Sequence, residues 1–156
     1  MHLPKEWREF VELLNSNGVE YLVVGAMALA HHGIPRFTGD IDILVRNSGD
    51  NARRVELALQ AFGFGGLGLK ADDFTESYQV IQLGQPPQRI DLLTSITGVS
   101  FEDAWNGKVV AELDGVRVNI ISRQHLVLNK KATQRPQDLA DLMALGEEQG
   151  PAGEPG

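Results

Sequence analysis

Residues Tyr21–Val45, YLVVGAMALAHHGIPRFTGDIDILV, decide how the rest of the chain is read. The stretch begins as an apolar strand and runs into Gly25. A short helix of small residues follows, then a break at Ile34-Pro35, then a second strand carrying Asp40 and Asp42. Two carboxylates inside Asp-Ile-Asp-Ile-Leu-Val need an explanation, because burying unpaired charge is costly. In a strand, residues i and i+2 share a face about 6.5 Å apart. Both carboxylates can therefore converge on one or two cations lying between them.

Working outward, residues 4–17 read as an amphipathic helix, with Trp7, Phe10, Val11 and Leu14 on one stripe and Pro4 in its first turn. Val19–Val24 is an apolar run suited to a strand covered on both faces. Ala26–Ala30 forms the short helix, closed by His31-His32-Gly33. After the Asp40/Asp42 strand, residues 47–50 cap a helix over Ala52–Phe62. The glycine-rich run Phe64–Lys70 lacks a following Lys-Ser/Thr helix and reads as a connection, not a phosphate loop. Residues 76–83 and 89–94 form a hairpin whose second strand carries a third isolated acid, Asp91, in Arg-Ile-Asp-Leu-Leu. Phe101–Trp105 is a helical turn. Asp114-Gly115 joins a further hairpin, a strong two-residue turn signal. Ser122 caps a helix to about Ala132, and Arg135-Pro136 opens a last helix with Leu139, Leu142 and Leu145 on one side.

Bulk properties narrow the class. The chain has 156 residues, 42% hydrophobic and 22% charged, which fits one globular domain over 1–146 and a flexible tail at 147–156. No apolar run approaches the roughly 18 residues that span a bilayer, and the N-terminus lacks a signal-peptide core. A cytoplasmic protein without membrane partners is expected. With no cysteine, any metal must be held by oxygen or imidazole ligands. A net charge of −7 argues against a protein that coats nucleic acid, but not against an enzyme with a locally basic site.

Asp40, Asp42 and Asp91 are the acids that two-metal phosphoryl transfer requires, since carboxylates must bring two hard cations to within about 4 Å. Magnesium takes such oxygen ligands and leaves room for triphosphate oxygens, with manganese as an alternative. Upstream, the strand-to-helix junction at Gly25-Ala26 offers free backbone N–H groups to an anion, and glycine lets a phosphate approach closely.

The order Gly25-Ala26, thirteen residues, Asp40-Ile41-Asp42 and a later Asp91 resembles the polymerase-β-like nucleotidyltransferase superfamily. Within it, HHGIPRFTGDIDILV and LNKKATQRPQDLADLMAL resemble small bacterial nucleotidyltransferases related to AbiEii-type toxins. The similarity runs from about Val19 to Leu145. It implies an α/β (α+β) fold, a small mixed sheet with helices mainly on one face. It also implies two magnesium ions held by Asp40, Asp42 and Asp91, with Asp91 helping to deprotonate an acceptor hydroxyl. Gly25 and Ala26 would contact the β- and γ-phosphates. Arg36 and Lys130 would contact the triphosphate, with Arg135 and Asp138 orienting the lysine. Many relatives carry Gly-Ser or Gly-Gly at Gly25-Ala26, so here the serine hydroxyl is missing and only backbone amides remain.

The expected reaction moves a nucleoside monophosphate from an NTP to a hydroxyl on RNA, protein or a small molecule. A toxin–antitoxin or phage-defence setting, with a cognate antitoxin or other partner protein, follows from the resemblance alone. Two other classes stand beside it: a catalytically degenerate nucleotide- or partner-binding module, and a metal-dependent phosphohydrolase.

Overall fold

The computed structural model describes residues 2–35, 38–85 and 87–147. Helix α1 (Lys5–Ser16) buries Trp7, Phe10, Val11 and Leu14, the predicted stripe. Burying side chains of this size contributes about 1.5–3 kcal/mol each. Strand β1 (Tyr21–Val24) leads directly into α2 (Gly25–His31), and β2 (Asp40–Val45) returns antiparallel to β1. Helix α3 (Gly49–Phe62) follows, with the Ser48 side chain accepting from the Asn51 amide and Gly63 closing it in the left-handed region. The glycine-rich run contains a short 3-10 turn, Gly65–Leu67.

Strands β3 (Val80–Leu83) and β4 (Arg89–Leu93) form the first hairpin. The first strand is shorter than the sequence suggests, because Tyr78 sits at φ 59° and breaks the extended run. Helix α4 (Phe101–Asn106) precedes the second hairpin, β5 (Val109–Leu113) and β6 (Val116–Ile120). Its turn residues Asp114 and Gly115 both have positive φ, 50° and 82°, the backbone a tight hairpin twist demands. The Asp114 carboxylate also accepts from the Leu3 amide at 2.7 Å, which holds its pKa below the ordinary value. Helix α5 (Arg123–Thr133) is capped by Ser122, and α6 (Pro136–Ala144) starts on Pro136.

The six strands form one mixed sheet in the order β3-β4-β2-β1-β6-β5. Strand β1 pairs parallel with β6, and β2 pairs parallel with β4. All four residues of β1 are buried, although successive side chains point to opposite faces. The expectation of helices mainly on one face is refined there: the centre of the sheet is covered on both. Buried Asn51 ties α3 to this centre. Its Oδ1 accepts from the Glu20 amide at 2.7 Å, and its Nδ2 donates to the Arg46 and Glu20 carbonyls.

Candidate active site

The strand directions determine where the acids gather. Because β1 is antiparallel to β2 and parallel to β6, the C-terminal ends of β1 and β6 share an edge with the N-terminal ends of β2 and β4. Helices α2 and α5 both leave the sheet from that edge. Asp42 lies directly opposite Asp91 in the β2–β4 register, and Asp40 opposite Arg89. Two-residue periodicity puts all four side chains on one face. One carboxylate oxygen from each of Asp40, Asp42 and Asp91 lies within 4.8 Å of the others.

Arg89 neutralises part of this charge. Its Nη2 donates to Asp40 Oδ2 at 2.7 Å, and its Nε lies 3.1 Å from Asp91 Oδ1. The second contact is an ion pair without hydrogen-bond alignment, so Asp91 Oδ1 is buried with no hydrogen-bond partner. Nη2 also donates to Asp91 Oδ2 at 3.4 Å, so one guanidinium is shared by two carboxylates and a hard cation would offset the remaining negative charge. The all-oxygen donor set fits such a cation.

The acids also perturb one another. Burial, then the neighbouring charges of Asp40 and Asp91, push the Asp42 carboxyl up to about 7. Burial raises Asp91 too, with Arg89 opposing. This is the behaviour of carboxylates packed too closely for all to ionise without a counter-cation.

Gly25 is pressed against this cluster. Its φ is 67°, and a Cβ placed on it would fall 2.2 Å from Asp42 Oδ2. No side chain caps the N-terminus of α2, so its first backbone amides have no side-chain cap. Gly25→Ala combines a left-handed backbone penalty of about 1–2 kcal/mol with displacement of the Asp42 carboxylate. A modest fall in thermal stability and a much larger loss of divalent-ion affinity are expected, measured by calorimetric unfolding and Mn2+ titration.

Asp42 and Gly25 open onto a cleft of about 600 Å³, lined on its far side by Thr97, Asn129, Thr133 and Arg135. Lys130 lies on the same helix as Asn129 and Thr133 but does not line this cleft. It is buried, with Nζ 2.8 Å from Asp141 Oδ2 and 3.5 Å from Asp138 Oδ1. Contact with a triphosphate would require it to leave both acids. Arg135, by contrast, is 71% exposed, and Asp138 holds its guanidinium at 2.8 Å. Burial alone would raise the Asp138 carboxyl, yet Arg135 and Thr133 hold it well below the usual range. Ala26 is half-buried at the start of α2, while Arg36 lies outside the described residues. The histidines do not join the acids: His32 Nε2 donates to the Ile121 carbonyl at 2.8 Å, pinning the end of α2.

Two solved structures share this architecture. One is a Thermotoga maritima protein with a provisional nucleotidyltransferase assignment, 14% identical, with TM-score 0.56 over 93% of this chain and 94% of that one. The other is an antigenic nucleotidyltransferase-like protein from Paracoccidioides brasiliensis, 18% identical, with TM-score 0.53 over 86% of this chain and 71% of that one. The chain has a nucleotidyltransferase fold. No family model and no curated protein matches the sequence.

On this nucleotidyltransferase fold, two site residues escaped the sequence reading. Arg89 stands two positions before Asp91, so the same i, i+2 spacing that paired Asp40 with Asp42 would have placed it on the acid face. Thr38 donates its hydroxyl to Asp40 Oδ1 at 2.9 Å, a local contact with no spacing signature.

Proposed function

We propose that the chain is a magnesium-dependent nucleotidyltransferase that moves a nucleoside monophosphate from an NTP to a hydroxyl acceptor. The observation that carries this reading is the convergence of Asp40, Asp42 and Asp91 beside the Gly25 turn on a nucleotidyltransferase fold. Asp40, Asp42 and Asp91 would hold the metal. When bound, it would neutralise the triphosphate and favour the alkoxide of the attacking hydroxyl. Asp91 would take the acceptor proton, and pyrophosphate would leave as the hydroxyl oxygen bonds to the α-phosphorus.

The backbone N–H groups at Gly25 and Ala26 would receive the β- and γ-phosphates. Arg135, held in place by Asp138 at the cleft, is the described cation best placed to offset charge moving onto the leaving group. Lys130 would serve the triphosphate directly only after exchanging its two acids for phosphate. Without a serine hydroxyl at Ala26, more of the phosphate affinity would fall to these backbone and side-chain cations.

RNA, protein or a small molecule could supply the hydroxyl. A toxin–antitoxin or phage-defence setting with a partner protein, and a cytoplasmic location, extend the family resemblance. Among the described residues no helix is long and apolar enough to cross a membrane.

Incubation with labelled NTPs, Mg2+ and a cell lysate tests the proposal. Label carried onto RNA, protein or a small hydroxyl compound is expected. Release of monophosphate or inorganic phosphate alone would reassign the acids to hydrolysis. Nucleotide binding without turnover would make the chain a degenerate binding module.

A further inference from the structure

The oxygens of the three acids are not equally available. Both oxygens of Asp40 already have donors: Thr38 Oγ1 at 2.9 Å on Oδ1 and Arg89 Nη2 at 2.7 Å on Oδ2. Asp42, among the described residues, has no Lys, Arg or His within ion-pair distance. The Asp91 side chain is 8% exposed; its Oδ1 is ion-paired with Arg89 Nε at 3.1 Å without hydrogen-bond alignment, and its Oδ2 accepts from Arg89 Nη2 at 3.4 Å. The Gly25 turn lies against Asp42 Oδ2. The Arg89 guanidinium therefore bridges Asp40 and Asp91, and Asp42 is the acid of the triad that no cationic side chain contacts among the described residues.

Like charges repel most where solvent is excluded. A divalent ion placed beside Asp40 would face a fixed guanidinium bonded to the same carboxylate. One placed on the Asp42 side of the pair would meet in Asp42 a carboxylate that no cationic side chain contacts among the described residues, with Asp91 sharing its charge with Arg89. Arginine suits the first position because its planar fork can span two carboxylates and its charge cannot be titrated away.

We propose that Arg89 stands in for one of the two cations expected of this site, so that the chain takes a single divalent ion between Asp42 and Asp91. The inference rests on the metal-dependent reading of the acids and fixes its stoichiometry. Asp40 then acts as an anchor for Arg89, with Thr38 holding its other oxygen. Arg89 is a positioning residue here: it keeps Asp40 and Asp91 close in the absence of metal.

The test is Mn2+ titration of the full chain, with free Mn2+ followed by electron paramagnetic resonance. Wild type is expected to bind one ion per chain, and Arg89→Met two. Arg89→Gln, which keeps a hydrogen-bond donor without the charge, provides the same comparison if the methionine variant does not fold. Anomalous scattering from a Mn2+-soaked wild-type crystal gives a readout free of any substitution, with one peak expected between Asp42 and Asp91. Two ions bound to wild type, or one to both folded Arg89 variants, would overturn the single-ion inference and leave the acids as a metal site. No ion bound to wild type would overturn both readings. So would Mn2+ binding unaltered by Asp42→Asn.

Discussion

Asp42→Asn is expected to abolish metal-dependent nucleotidyl transfer, by at least about 10²–10³-fold, while making the metal-free protein more stable at neutral pH. The activity loss follows, on the proposed function, from removing the carboxylate that faces both the Gly25 turn and Asp91, since placed charge is commonly the largest contribution to such rates. The stability gain follows from the pKa. Asp42 titrates at about 7 in the fold against an ordinary 3.8, so the folded state favours its protonated form. Its stabilising contribution is complete below the unfolded pKa and is lost as pH rises through about 7. Metal-free wild type should therefore lose melting temperature between pH 4 and pH 7, and Asp42→Asn should lose less. Each kcal/mol corresponds to roughly 2–4 °C in a chain of this size. Calorimetry in the presence of EDTA across that range checks it, and a steeper fall in the asparagine variant would refute the assignment. The same proton links metal to pH. Mn2+ should bind more tightly at pH 8 than at pH 6, with proton release on binding at the lower pH.

Lys130→Met should carry the largest stability penalty, about 3–5 kcal/mol, which is what removing one partner from a buried ion pair costs. Lys130 is the cation that Asp138 and Asp141 share, and both acids are about 1% exposed. Without it, two carboxylates stay buried between α5 and α6, Asp138 with Arg135 and Asp141 with Gln137. Denaturant unfolding at pH 8 and pH 5 measures the effect. The deficit should shrink at the lower pH, because carboxylates that have lost their cation protonate more easily. Adding Asp141→Leu to Lys130→Met should restore part of the loss, since an apolar pair avoids uncompensated charge. Transfer activity in this double variant, assayed well below its melting temperature, separates the two roles open to Lys130. Activity near wild type makes it structural. A deep loss in folded protein would return it to the triphosphate.

Much of the site was legible because its residues obey short-range rules. Asp40 and Asp42 share a face through strand periodicity, and their apolar neighbours mark the strand as buried. Gly25 between a strand and a helix announces a close backbone approach, and the structure supplies the reason: a side chain there would strike Asp42. Asp114-Gly115 specified its hairpin turn by the backbone angles those residues tolerate. Less was legible wherever a side chain had more than one partner to choose from. The last helix reads with Leu139, Leu142 and Leu145 on one side; among its nine residues the buried ones are Asp138, Asp141 and Leu142. The two acids turn inward because Lys130 arrives from the neighbouring helix.

The sequence by itself determined the alternation of strands and helices, the i, i+2 placement of Asp40 and Asp42 and the glycine turn, because each depends on residues a few positions apart. Only the tertiary structure decided which charges meet. The parallel β2–β4 register sets Arg89 on Asp40 and Asp42 opposite Asp91, and the α5–α6 packing locks Lys130 away while leaving Arg135 at the cleft. Coulomb energy depends on distance through space, and residues 40 and 89 become neighbours only when the sheet closes.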